Sequence, residues 1–240
     1  TVRMHSVGGW GAITTGKNLA ITLYDLLGYD IKANPKYGSE KKGQPTTYYL
    51  SAAPEPIRIN CEYFFVDTVL SPDPNVFSHS NPLFGLKKGG VFIIQSELET
   101  QEEVWETFPA TARKYIVDQE IKVYFLDAFK IAREEATDPE LQFRMQGIAF
   151  QGAFFAGSNL IESAGFTEQS LFEAIRKQVE KKFGSKGARV VEDNMRVVRR
   201  GFDEMIEITK KEEPSAKAVA ERIDTNLPVM MKRMPASDDP

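Results

Sequence analysis

Apolar residues recur along the chain at two periods, and the alternation between them marks out strands and helices. The opening run, residues 1–5, favours strand at Val2 and stops at a glycine cluster, Gly8-Gly9-Trp10-Gly11. Beyond it Ile13, Leu19 or Ala20, Leu23 and Leu26 or Leu27 fall at helical spacing, and Gly28 stands at a helix C′ position. The pattern predicts a strand, a tight turn and a helix from Ala12 to Leu27. Residues 34–44 are polar and glycine-bearing and read as a loop. Residues 46–51 and 57–59 then read as strands, separated by Pro54-Glu55-Pro56.

A second unit runs from the strand at 66–70 through a proline-rich stretch to a short helix over 83–87. There Gly89-Gly90 turns the chain into the strand Val91-Phe92-Ile93-Ile94. A third unit has a helix near 110–117, a strand at 122–126 and a helix from Ala128 to about Ala136. Strands alternating with helices imply an α/β domain with crossovers and a mostly parallel sheet flanked by helices. From Leu141 the chain turns helical. Met145, Ile148, Gly152, Phe155 and Ala156 trace a buried stripe, in which Gly147, Gly152, Ala153 and Gly157 allow close backbone approach. Amphipathic stripes through Leu171, Ile175, Val179 and Phe183, and through Val191, Met195, Val198, Phe202 and Met205, predict two more helices around Gly184-Ser185-Lys186-Gly187. After Glu213 the periodicity stops, and Pro214, Pro228 and Pro235 predict an extended tail with a short helix around 216–223. The domain expectation is therefore one unit over 1–213 and a tail or linker over 214–240.

Composition narrows the function classes. With 240 residues, 42% hydrophobic and 27% charged, the chain can bury a core without staples. A net charge of −4 argues against nucleic-acid binding, which favours a basic stripe. No apolar run approaches the roughly 20 residues of a membrane span. The single cysteine, Cys61, excludes a disulfide framework, a thiolate zinc site and an iron–sulfur cluster held by this chain. A reducing, cytoplasmic location is the expectation, with no secretory leader before the strand that begins at Thr1.

The turn over residues 6–11 is the sharpest local chemistry. Glycine lets backbone approach a ligand, and the following helix start offers unpaired N–H groups to a phosphate or carboxylate. Gly8-Gly9-x-Gly11 does not fit the dinucleotide pattern G-x-G-x-x-G, and Asp30 alone is weak support for a ribose site. Trp10, flanked by glycines, must pack on another element, a partner chain or a flat ligand. Residues 35–44 gather three lysines, a tyrosine and two glycines, either as an anion-gripping loop or as an ordinary solvated one. His5 and His79 are the only histidines, and no spacing supplies either with a partner acid. Cys61 reads as a small buried hydrophobe. There is no nucleophile elbow, Walker lysine, H-E-x-x-H or kinase signature, so no catalytic residue is assigned.

Four ordered motifs carry a resemblance. His5-Ser6-Val7-Gly8-Gly9-Trp10-Gly11-Ala12, followed by Lys17-x-Leu19-Ala20, resembles the glycine-rich opening of the gamma subunit of 2-oxoacid:ferredoxin oxidoreductases. That subunit is also a domain of fused pyruvate:ferredoxin oxidoreductases. Tyr37-Gly38-Ser39-Glu40-Lys41-Lys42-Gly43 is similar to the family's tyrosine-glycine-x-glutamate-arginine-glycine loop. Leu86-Lys87-Lys88-Gly89-Gly90-Val91-Phe92-Ile93 and Phe125-Leu126-Asp127-Ala128-Phe129-Lys130-Ile131-Ala132 resemble its later turn-and-strand and strand–helix elements. Trp10 replaces a glutamine of the pattern, Ser6 a glycine, Lys41 or Lys42 the arginine, and Gln44 the second glycine. These departures suggest a divergent branch acting on a less usual 2-oxoacid.

The resemblance implies a Rossmann-like domain within an enzyme that decarboxylates a 2-oxoacid on thiamine diphosphate, passes electrons through iron–sulfur clusters to ferredoxin and usually makes an acyl-CoA. It implies alpha, beta and delta (ferredoxin-like) partner subunits holding thiamine diphosphate, magnesium and the 4Fe-4S clusters. Coenzyme A (CoA) would meet this chain at an interface. The residues expected to face it are Ser6, Gly8, Gly9, Trp10, Gly11, Tyr37, Gly38, Glu40, Lys41 and Gly43. Two rivals stand beside this reading. One is a purely structural docking subunit, favoured by Trp10 and the proline-rich tail. The other is a free-standing Rossmann-type nucleotide-dependent oxidoreductase, disfavoured by the misfit to G-x-G-x-x-G.

Overall fold

In the computed structural model, residues 1–37, 43–137, 142–215 and 218–219 are described. The first unit is β1 (Val2–Val7), α1 (Ala12–Leu27), β2 (Asp30–Tyr37) and β3 (Pro45–Ala53). β4 (Val66–Ser71), α2 (Val76–His79), β5 (Leu86–Gln95), α3 (Gln101–Thr107), α4 (Ala110–Asp118) and β6 (Lys122–Leu126) follow. α5 (Ala128–Glu135), α6 (Gln142–Gly157), α7 (Leu160–Ser163), α8 (Glu168–Phe183), α9 (Ala188–Asp203) and β7 (Ile206–Glu207) complete it. One seven-stranded sheet runs in the order β2-β3-β1-β4-β5-β6-β7. β1, β4, β5 and β6 are mutually parallel, whereas β2 and β3 add antiparallel on one side and β7 on the other. The α/β sheet is as the sequence implied at its centre.

Side-chain alternation splits the core. Val91 and Ile93 of β5 point into a core built with α1, α5, α6, α8 and α9. Phe92 and Ile94 point into a second core with α2, α3 and α4. Both faces are covered, which is why this strand reads as an unbroken apolar run. On the first face α6 and α9 cross at glycines. A Cβ on Gly152 would lie 2.0 Å from Val198 O, and one on Gly201 would lie 2.1 Å from Ala149 O. Charge pairs then tie α9 to α5: Arg196 Nε to Glu135 at 2.6 Å, and Arg200 Nη1 to Glu134 at 2.8 Å.

Several sequence expectations are corrected. Residues 34–37 are strand, because β2 pairs with β3 from Asp30↔Ala53 to Tyr37↔Thr46. Pro35 is tolerated there since β2 is the edge strand and one flank needs no N–H donor. Residues 57–59 form no strand. The Ile57 N–H bonds Asp30 Oδ2 at 2.7 Å, and Ile59 is exposed, so this run has no sheet to join. The helix expected over 83–87 is a turn into β5, and the short helix lies earlier, at α2. Between Val66↔Leu86 and Thr68↔Val91, β5 advances five residues against two on β4, a bulge that absorbs Gly89 and Gly90. The helix α3 was not foreseen, although Thr100 and Glu103 form a complete capping box at its start. β7, also unforeseen, leads to the buried Ile208, and the Glu212 carbonyl accepts from Trp105 Nε1 at 3.2 Å. The tail over 214–240 lies outside the described residues except for 214–215 and 218–219, as does most of the helix expected around 216–223.

Gly152→Val inserts a branched side chain where Val198 O already stands. A loss of about 3 kcal/mol is expected in urea unfolding of the full chain. The exposed Gly184→Ala, which meets no neighbour within 4 Å, should change stability far less.

Candidate functional site

β1 pairs antiparallel with β3 on one side and parallel with β4 on the other. Connections from β1 and β4 therefore leave in opposite directions, which puts the switch in strand order at their carboxyl ends, the place where α/β sheets characteristically bind ligands. The glycine turn stands there. The Trp10 N–H donates to Val7 O at 3.1 Å and closes the turn. Gly9 has φ 97° and Gly11 has φ 88°, both in the region that disfavours side chains. Gly11 occupies the N-cap position of α1, where no side chain caps the helix and no acid lies in its first turn. The sixteen-residue helix thus presents its amides and positive dipole end uncovered by its own side chains.

The second motif reaches the same corner. Gly8 N–H donates to Gln44 O at 2.8 Å, and Gly43 N–H donates to Gly8 O at 3.0 Å. This clasp continues the β1/β3 ladder past Val7↔Pro45. β2 ends at Tyr37 and β3 begins at Pro45, so the motif falls between two paired strands, and its described end, Gly43, lies against the glycine turn. Gly43 has φ 76° and is exposed. Gly38, Glu40 and Lys41 lie outside the described residues, and the Tyr37 backbone closes β2. Gly9 is exposed, while Gly8, Trp10 and Gly11 are half-buried. Ser6 is different: its residue is 1% exposed and its hydroxyl is buried. Trp10 packs edge-on against Phe129 of α5, with ring centroids 5.1 Å apart. Its carbonyl accepts weakly from Gln146 Nε2 of α6 at 3.5 Å.

Behind the turn Ser6, already singled out from the sequence, is joined by two polar groups that were not, Thr15 and Gln146. Ser6 Oγ, Thr15 Oγ1 and Gln146 Oε1 are buried without hydrogen-bond partners. Gly147 permits this packing, because a Cβ there would stand 2.4 Å from Thr15 Oγ1. The signal for Gln146 was a polar residue between apolar Met145 and the glycine at 147 that lets α6 approach α1.

Both histidines meet Asp73, which follows the carboxyl end of β4. Asp73 N–H reaches His5 O at 3.5 Å, and Asp73 Oδ2 lies 2.7 Å from His79 Nε2. The partner acid that spacing did not reveal is therefore Asp73, six residues before His79. His5 Nε2 accepts from Arg3 Nε at 3.1 Å, which puts the imidazole proton on Nδ1. Arg3 Nη2 also donates to Pro82 O at 2.8 Å and Phe84 O at 2.5 Å. Burial, then the Arg3 cation and His79, push the His5 imidazole down to about 3, so it is neutral near pH 7. Cys61 is exposed, not buried as expected, within the irregular segment after β3. Among the described residues no group of three or more His, Cys, Asp or Glu could hold a metal, and no helix is long and apolar enough to cross a membrane.

Comparison with known proteins adds a family. The sequence pattern of the family described as pyruvate ferredoxin/flavodoxin oxidoreductase matches residues 1–204. The common subunit gamma of the pyruvate/ketoisovalerate oxidoreductases of Pyrococcus furiosus is 29% identical over 192 residues, covering 80% of this chain and 93% of that one. The crystal structure of pyruvate oxidoreductase subunit PORC from Thermotoga maritima superposes with a TM-score of 0.62 at 23% identity, covering 86% of this chain and 96% of that one. The 2-oxoglutarate:ferredoxin oxidoreductase from Magnetococcus marinus, solved with 2-oxoglutarate, coenzyme A and succinyl-CoA bound, matches with a TM-score of 0.56 at 19% identity. It covers 89% of this chain and 32% of that one.

His5 supplies a test of the buried cluster. Its folded pKa lies below the ordinary 6.5, so the unfolded chain takes the proton first. Its contribution to stability is complete above pH 6.5 and is lost as pH falls toward about 3. The wild type should lose about 1.4 kcal/mol per pH unit more than His5→Gln within that window. Urea unfolding of both at about pH 6.5, 5.5 and 4.5 measures it, and parallel pH dependences would refute the burial of a neutral imidazole.

Proposed function

Because the chain belongs to the pyruvate ferredoxin/flavodoxin oxidoreductase family, we propose that it is the gamma-type subunit of a thiamine-diphosphate-dependent 2-oxoacid:ferredoxin oxidoreductase. It works in complex with alpha, beta and delta subunits. Within that complex it presents the glycine turn and the Tyr37–Gly43 motif to CoA, whose acyl thioester is the product. The observation that supports this most is the clasp between Gly8, Gly43 and Gln44. It brings two separate motifs into one corner, beside an uncapped helix start. Solution of the Magnetococcus marinus relative with coenzyme A and succinyl-CoA supports the choice of ligand.

The chain's own residues have binding and positioning tasks. Amides of the turn and of α1's first residues suit a phosphate oxygen, because the donors are fixed before the ligand arrives. Lys41 and Lys42 of the hairpin motif add positive charge for the same polyanion. Trp10 braces the turn against Phe129 and keeps that donor set in place. One cysteine in 240 residues is too few for a four-cysteine cluster, so electron transfer falls to partner subunits and then to ferredoxin. Thiamine diphosphate with its magnesium, also held by partners, supplies carbanion stabilisation for the decarboxylation.

A purely docking role is favoured by one other observation. Phe64, Phe65 and Phe84 are 47%, 64% and 57% exposed. Their rings meet edge-on, with centroids 4.9 and 4.3 Å apart. Aromatic surface of this kind is typical of protein interfaces.

Isothermal titration of the assembled enzyme with CoA separates the two. Gly9→Glu places a carboxylate on the turn, and Lys41→Glu paired with Lys42→Glu reverses charge on the hairpin. CoA affinity is expected to fall about tenfold or more in each. Unchanged affinity in both correctly assembled variants leaves docking as the better reading.

A further inference from the structure

A cavity of about 490 Å³ opens at the edge of the sheet opposite the glycine turn, where β1, β4, β5 and β6 begin. Its size falls in the roughly 300–1,000 Å³ range of small-molecule sites. Leu23 of α1, Leu50 of β3, Phe154 of α6 and Leu160 of α7 supply apolar wall. All but Leu160 are buried.

The charge at its rim is one-sided. Lys87, Lys88 and Lys122 line it against a single carboxylate, Asp67, in a chain whose net charge is −4. Lys87 already pairs with Asp67 at 2.7 Å, and Lys88 with Glu120 at 2.7 Å. Lys122, exposed at the first position of β6, has no ion-pair partner among the described residues. Across the cavity, the carboxyl ends of α1 and α6 contribute the negative ends of two helix dipoles near Tyr29 and Gly157. An anionic group is therefore favoured at the strand edge and disfavoured at the helix edge. Between the two lies hydrocarbon wall.

We propose that this cavity is a second ligand site, for an amphipathic carboxylic acid. The carboxylate meets Lys122 at the strand edge, and a hydrocarbon body lies along Leu50, Leu23 and Phe154. The site is independent of the reading given to the glycine turn, which occupies the other end of the strands.

The test is isothermal titration of the full chain with sodium octanoate and, separately, with neutral octanamide. The wild type should bind octanoate saturably at one site, and octanamide about tenfold more weakly. Lys122→Glu, an exposed change whose fold circular dichroism checks, should weaken octanoate about tenfold or more. Lys177→Glu, exposed on α8 and outside the cavity, should stay within about twofold. Three results each overturn the proposal: no saturable octanoate binding to the wild type, equal affinity for octanoate and octanamide, or unchanged affinity in Lys122→Glu.

Discussion

The ladder on the two sides of β1 governs this molecule. Parallel pairing to β4 puts both strands' carboxyl ends at one edge, and antiparallel pairing to β3 returns the chain to that edge from the other side. A turn leaving β1 and the residues entering β3 must then meet, and backbone hydrogen bonds between Gly8, Gly43 and Gln44 record the meeting. Had β3 run parallel to β1, its entry would lie at the other edge, beside the cavity. Strand polarity thus decides that two motifs some thirty residues apart share one surface.

Rigidity behind that surface comes from packing on the helical face. Glycines at the α6/α9 crossing let the two backbones approach, while Gly147 lets α6 reach the first turn of α1. The same approach leaves Ser6, Thr15 and Gln146 with buried polar atoms that lack partners. Such groups normally cost about 1–3 kcal/mol each when unpaired. Others lie at Asn18, Arg113, Gln151, Ser158 and Gln178, so this feature is shared with the rest of the α/β framework.

Much of the fold was legible because its signals are local. Helical spacing from Ile13 to Leu27 with Gly28 after it, the apolar run at Val91, and the stripes through Leu171 and Val191 each report one element's own environment. Proline content hid β2, since Pro35 is acceptable only on an edge that the sequence does not identify. Apolar alternation at 57–59 misled for the converse reason: no neighbour strand exists there. The glycine turn at the start of a helix was legible as a turn, but its clasp to Gly43 and Gln44 was not, because register between distant strands is set by the whole sheet. Nor could spacing pair Asp73 with His79, since that contact depends on how the chain leaves β4, whereas Arg3 and His5 are same-face neighbours on β1.

Hydrogen–deuterium exchange of the assembled enzyme, with and without saturating CoA, tests the central claim most directly. If turn and hairpin form one CoA-facing corner, peptides over 7–14 and 37–46 gain protection together while those over 168–183 do not change. Protection confined to other subunits, with both segments unaltered, contradicts it.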